Sequence, residues 1–191
     1  MRQFATHFKK GAHRKYRNAS IESVSIVRVN IGADVGMLPL QEISDRLEIQ
    51  DLLARYSYAI DEQDWDGLDD VFTPDAVIDY SETGGAKGSV AQIKAWLPVA
   101  MQRFPRYQHM VATTKLRLDG DSATSRTCLF NPMVYRADDG SESVFFIGLW
   151  YRDRLVRTDK GWRIAERYEE MGYAHNVPDM PPVPPIEEVA R

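Results

Sequence analysis

From Ser44 to Asp61 the apolar residues Ile49, Leu52, Leu53, Tyr56 and Ile60 recur at steps of three and four, which puts them on one face of an α-helix. A second, shorter helix is predicted by Trp65, Leu68, Val71 and Phe72. It should stop before Thr73-Pro74, because a residue preceding proline resists the helical region. AVIDYS (76–81) reads as a short strand and ETGGAKG as a loop. A third helical segment over 89–104 follows from Val90, Ile93, Trp96 and Leu97, with Pro98 placed to kink or divide it.

After Tyr107 the pattern changes. HMVATTKLRL, ATSRTCLFNPMVY, SVFFIGLWYRDRLVR and WRIAERY are rich in β-branched and aromatic residues. The turn signals Asp119-Gly120, Asp139-Gly140 and Lys160-Gly161 separate them, so an antiparallel meander is predicted as far as Tyr168. Helices first and a twisted sheet afterwards make an α+β domain. The sheet is expected to curl around the long helix and leave a cavity between them. The tail from 173 to 191 holds five of the ten prolines and is expected to be extended, draped or disordered.

Composition adjusts this picture only in places. A chain of 191 residues, 43% hydrophobic and 27% charged, fits one domain with extra length. The formal net charge of −4 gives no support for nucleic-acid binding, but it is unevenly spread. Residues 1–36 carry seven Lys or Arg against Glu22 and Asp34. A transit peptide would have this composition. The favoured expectation for 1–36 is a disordered arm or translation from an upstream start, since MLPLQEISDRLEIQDLL from Met37 reads like a domain start. The domain itself is placed at 37–172. The single cysteine, Cys128, excludes an internal disulfide and fits a reducing, cytoplasmic setting. No apolar run approaches the ~20 residues of a membrane span.

The acid-rich stretch YAIDEQDWD (58–66) carries the candidate chemistry. At about 100° per residue, Asp61 borders the apolar face of the first helix, beside Ala54, Ser57 and Tyr58, whereas Glu62 faces solvent. Asp64 is placed to cap the second helix, with Asp66 in its first turn. Asp69 and Asp70 are surface acids. His109 is harder to place. Strict alternation would put Met110, Ala112, Thr114, Leu116 and Leu118 on the apolar face and His109 on the other, with Tyr107 and Val111. Either the pocket is lined by that mixed face, or a bulge re-aims the histidine, or it lies on the surface. His7, His13 and His175 have no site context, and no pair of histidines has metal-ligand spacing, so neither metal nor cofactor is expected.

RLEIQDLLARYSYAIDEQDWDGLDDVFTPDAVIDY, followed by RYQHMVATTKLRLDGDSATS and KGWRIAER, resembles the SnoaL-like branch of the nuclear transport factor 2-like superfamily over about residues 40–170. The resemblance implies a cone-shaped, curved antiparallel sheet wrapped around the first helix. It is nearest the scytalone and bile-acid dehydratases, and by that likeness implies Asp61, His109, Tyr56 and Tyr80 as catalytic. Tyr58, Thr127, Trp150 and Tyr151 are then expected to line the substrate pocket. Two departures are visible: Thr127 stands where a second histidine of scytalone dehydratase falls, and Leu149 and Tyr151 where its serine and asparagine fall.

The implied function is cofactor-free proton transfer next to a carbonyl, dehydration or isomerisation, on a small polycyclic or terpenoid-like molecule. An enzyme working by Asp61 alone, a non-catalytic binding protein and an oxygenase-β-subunit-like protein remain alternatives. The apolar VFFIGLWY strand is expected to face a second subunit, in a homodimer or a trimer, with neither nucleic acid nor membrane as partner.

Overall fold

The computed structural model describes residues 36–189. The expectations for the basic arm therefore lie outside the described residues. From Leu38 onward the chain forms one compact unit. The first helix, α1 (Leu40–Asp61), buries Ile49, Leu52, Leu53, Tyr56 and Ile60 as its spacing dictates. Each such aliphatic side chain contributes roughly 1.5–3 kcal/mol through burial. Asp45 lies on the same face, and its carboxylate accepts from Arg157, Trp162 Nε1 and Gln41.

The predicted second helix is only a 3-10 turn, Asp66–Asp70. Its N-cap is Trp65, one residue later than expected, and Asp64 just before it accepts the Gly67 N–H at 3.1 Å. Strand β1 (Phe72–Asp79) starts earlier than AVIDYS and absorbs Pro74 through a register shift between Phe72 and Val77, where proline's missing donor costs no ladder bond. After β2 (Lys87–Ser89), Ser89 and Gln92 form a capping box that opens α2 (Val90–Ala100). Pro98 is accommodated inside α2, and the helix tightens to a 3-10 turn only at Met101–Arg103.

The meander follows as β3 (Arg106–Tyr107), β4 (Met110–Asp119), β5 (Ser122–Arg136), β6 (Glu142–Thr158) and β7 (Gly161–His175). Its hairpins fall at the three turn signals; Gly140 and Gly161, at φ 82° and 89°, take left-handed positions that a side chain would strain. The seven strands form one curved sheet in the order β2-β1-β7-β6-β5-β3, with β4 also on β5. The sheet is not wholly antiparallel, because β1 lies parallel to β7. A hairpin forces reversal, but β1 and β7 are joined through the whole meander, which leaves their relative direction free.

The main core packs α1 and α2 against the inner face of the sheet, through Leu129, Leu149, Leu155, Trp162 and Ile164. A second cluster of Phe104, Met133, Tyr135 and Phe145 sits at the far end of β5 and β6. The proline-rich tail drapes rather than wandering. Trp96 donates its indole N–H to the Pro184 carbonyl at 2.7 Å, and Arg103 donates to that of Pro181 at 3.1 Å. A last turn, α3 (Ile186–Val189), buries Ile186 in the core. No helix among the described residues is long and apolar enough to cross a membrane.

Candidate active site

Between the end of α1, α2, the inner face of the sheet and the tail lies a cavity of about 330 Å³. Tyr56, Tyr80, His109, Asn131 and Glu169 bring polar groups to a wall otherwise built from residues such as Trp96, Leu129, Phe145 and Met180.

Asp61 is the last residue of α1, and the chain between β3 and β4 passes beside it. Gln108 and His109 fall in the gap between these two strands, so the His109 N–H makes no ladder bond; it donates to Asp61 at 2.9 and 3.1 Å. The ring follows: Nδ1 lies 2.7 Å from Asp61 Oδ1. The His109 side chain is 10% exposed and that of Asp61 24%. With Nδ1–H donated to the carboxylate, the lone pair on Nε2 is left for chemistry. No described residue bonds to Nε2.

Alternation failed to place His109 for an identifiable reason. The β4–β5 register shifts between Val111 and Thr114. Before the shift Val111 faces inward and Met110 is 52% exposed; after it Thr114, Leu116 and Leu118 face inward. The inner face thus changes phase within one strand. His109 belongs with Tyr107 and Val111, on what is the cavity side at that end. Tyr107 and Tyr56 both meet the imidazole edge-on, with centroids at 5.9 and 6.4 Å.

The hydroxyls of Tyr56 and Tyr80 are 2.7 Å apart and buried. One hydrogen joins the pair, so the other is free to donate. Burial pushes both phenols up, Tyr80 well above the ordinary range and Tyr56 against the opposing charge of Arg167. They are uncharged donors at neutral pH. Beneath Tyr56, Arg167 is clamped between the rings of Tyr56 and Tyr151, 4.0 Å from each centroid, and pairs with Asp153 through two bonds of 2.8 Å. Neither side chain of that ion pair is exposed.

The expected substrate wall is placed differently. Tyr58 is 66% exposed, because two residues beyond Tyr56 a helix has turned about 200° and faces solvent. Trp150 lies on the outer face of β6 with Arg126 stacked at 4.0 Å, since it alternates with the inward Leu149 and Tyr151. Thr127 is buried but is tied to Thr114, and Tyr151 is buried edge-on to Tyr56; neither lines the cavity. Tyr151 Oη has no hydrogen-bond partner among the described residues. His175 also lies outside, stacked on Phe146. Glu169, Asn131 and the tail from Met180 to Pro184 line the cavity and were not singled out from sequence. Among the described residues no group of acidic, histidine or cysteine side chains could hold a metal.

The model of the SnoaL-like domain matches residues 41–168. An uncharacterized protein of Mycobacterium tuberculosis strain H37Rv is 53% identical over 136 residues, 71% of this chain and 91% of that protein. Among solved structures, the Kfla4162 protein of Kribbella flavida superposes with a TM-score of 0.64 at 25% identity, covering 71% of this chain and 95% of the other. A hexachlorocyclohexane dehydrochlorinase, LinA type 2, superposes with a TM-score of 0.60 at 17% identity, over 75% of this chain and 97% of its own, a likeness of fold alone. The chain belongs to the SnoaL-like family.

Proposed function

We propose that the protein is a lyase or isomerase that moves a proton next to a carbonyl of a small hydrophobic molecule, with Asp61 and His109 as its base. The observation that carries this reading is the double hold of Asp61 on His109, which fixes the ring of a residue that lines the cavity and leaves its second nitrogen without a partner among the described residues. Histidine changes charge nearest neutrality and serves well as both acceptor and donor. Nε2 takes the proton from carbon, and the electron pair moves onto the carbonyl oxygen as an enolate. The free hydrogen of the Tyr56–Tyr80 pair donates to that oxygen as charge develops there. The imidazolium then returns its proton, either to a departing β-hydroxyl, which leaves as water, or to another carbon. These outcomes are dehydration and double-bond isomerisation. All of these steps run on side chains alone. The largely apolar cavity favours a polycyclic or terpenoid-like skeleton. Residues 1–36 are read as an extension to the domain, and a reducing cytoplasm as its setting.

A panel of bicyclic and tricyclic β-hydroxyketones tests this, with turnover followed by the absorbance of the conjugated enone. Turnover in the wild type that His109→Ala abolishes supports the reading. Turnover that survives the substitution points to an enzyme working by Asp61 alone, and binding without turnover to a non-catalytic carrier.

The same reading includes a homodimer through the outer face of β5, β6 and β7, with a trimer as the alternative. Phe130 and Tyr173 are 37% and 57% exposed there, beside the stacked ring of Phe146. Sedimentation velocity measures the outcome, and a monomer would refute it.

A further inference from the structure

Glu169 is a carboxyl group for which the dyad chemistry has no use. It points inward from β7, between its neighbours β1 and β6, and lines the cavity at the end formed by Tyr80, Thr83 and Gly85. It is 8% exposed. Its Oε2 meets the Thr83 hydroxyl at 2.5 Å. Its Oε1 has no partner among the described residues, yet it is not among the buried unpartnered atoms, so it keeps open surface.

The proton count at Thr83 is informative. Its hydroxyl also lies 2.9 Å from the Tyr80 carbonyl, but both lone pairs of that oxygen are already taken, by the N–H groups of Gly85 at 2.9 Å and Thr83 at 3.2 Å. The Thr83 hydrogen is therefore free for Glu169. A proton on Oε1 leaves Oε2 as acceptor for Thr83, so the uncharged acid is fully bonded on the protein side and has a donor left over. Arg167 is the cation that acts on Glu169 through its charge; it gives Nε and Nη2 to Asp153, its Nη1 is buried without a partner among the described residues, and it makes no hydrogen bond to Glu169.

We propose that Glu169, steadied by Thr83, is a subsite that donates an Oε1–H hydrogen bond to an oxygen of the ligand, a carbonyl, ether or hydroxyl carried on an otherwise apolar ring system. The inference rests on the cavity being the binding site for a hydrophobic molecule, but not on the dyad being catalytic. An apolar compound with an oxygen acceptor matches both the wall and this donor.

Burial raises the Glu169 carboxyl to about 7, against the Thr83 hydroxyl and the charge of Arg167, with Asp153 and Asp79 reinforcing the rise. Tyr80 beside it, Tyr56 on α1 and Tyr151 on β6 stay uncharged. Asp79 on β1 is paired with Lys87. His109 with Asp61, and Arg103, complete the charged or titratable groups of the cavity. The donor form is present below neutrality and is lost as pH rises through about 7. If only that form binds the oxygen, affinity falls about tenfold for each further pH unit.

The probes are 1-tetralone and tetralin, which share a skeleton and differ in one carbonyl. Their binding is measured by NMR titration of the whole chain at about pH 6 and about pH 8.5. The wild type should prefer tetralone at the lower pH and lose that preference at the higher. Glu169→Gln, which keeps an N–H donor, should prefer tetralone at both; Glu169→Leu should prefer it at neither. A preference indifferent to pH, a preference that survives Glu169→Leu, or no binding of tetralone to the cavity overturns the subsite. A protein that shows the pH-dependent preference but turns over no hydroxyketone sinks the catalytic reading and leaves the subsite standing.

Discussion

Asp61 holds His109 at two points, the backbone N–H at 2.9 Å and the ring Nδ1 at 2.7 Å. A single bond would leave the imidazole free to swing. Two bonds from one carboxylate tie the ring to the backbone that carries it, and the break between β3 and β4 is what frees that N–H to be used.

Residues that act as one unit lose function together. His109→Ala should lower turnover about a hundred- to ten-thousand-fold, and Asp61→Asn should fall in the same range, because the amide cannot stabilise the imidazolium. The double variant should be little worse than the poorer single one. Single-turnover rates on a hydroxyketone substrate measure this, and losses that multiply would assign the two residues independent roles.

The Arg167–Asp153 pair holds the floor beneath Tyr56, and its energetics are asymmetric. Arg167→Met leaves a wholly buried carboxylate without its partner and should cost about 3–5 kcal/mol. Adding Asp153→Leu removes the orphan charge and should recover much of that loss. Urea unfolding of the three proteins decides it. A double variant as unstable as Arg167→Met alone would show that the guanidinium matters for its stacking between Tyr56 and Tyr151 rather than for its charge.

Local pattern made α1 and the three hairpins legible, because each depends on residues close in sequence: the stripe from Ile49 to Ile60 and turns such as Asp139-Gly140. Asp61 was reachable too, since its angular position follows from the same helix. What escaped depends on distant parts of the chain. The parallel docking of β1 on β7 leaves no mark in either strand. The phase change between Val111 and Thr114 defeats strict alternation, so His109 could be assigned only through resemblance. Arg167 and Glu169 look like ordinary strand charges until β6, α1 and the 80–85 loop close over them. Trp150 and Tyr58 were misplaced for the opposite reason: their neighbours in sequence border the cavity, but strand and helix periodicity turn them away from it.

The tail should act as a cover and not merely an appendage. Ile186 shares a core with Val90, Ile93 and Trp96, and the Trp96 indole is satisfied by the Pro184 carbonyl. Truncation after Asn176 removes both, and loss of the Ile186 burial alone should cost about 1.5–3 kcal/mol. Thermal unfolding and 1-tetralone affinity are the measurements. Unchanged stability and unchanged affinity together would show that residues 177–191 contribute nothing to the cavity.

Two buried carboxyls should move stability in opposite directions with pH. Asp45, 4% exposed, is held at about 2, chiefly by its hydrogen bond from Arg157 and also by those from Trp162 and Gln41, against the cost of burial. Its contribution, about 2 kcal/mol, is complete above its unfolded value of 3.8 and is lost as pH falls toward 2. Glu169, raised to about 7 from 4.5, has the reverse sign: the folded state keeps a proton that the unfolded chain has released, so stability declines as pH rises between those values and then levels off. Asp45→Asn should therefore be destabilised by about 2 kcal/mol near neutrality and approach the wild type in acid. Glu169→Gln should match the wild type near pH 4 and exceed it by about 3 kcal/mol above neutrality, since the amide has no charge to bury. Denaturant unfolding across the range tests both at once. A Glu169→Gln difference that stays constant with pH would mean that Glu169 ionises as readily in the folded protein as in the unfolded chain, and the acid at the end of the cavity would then be an ordinary carboxylate.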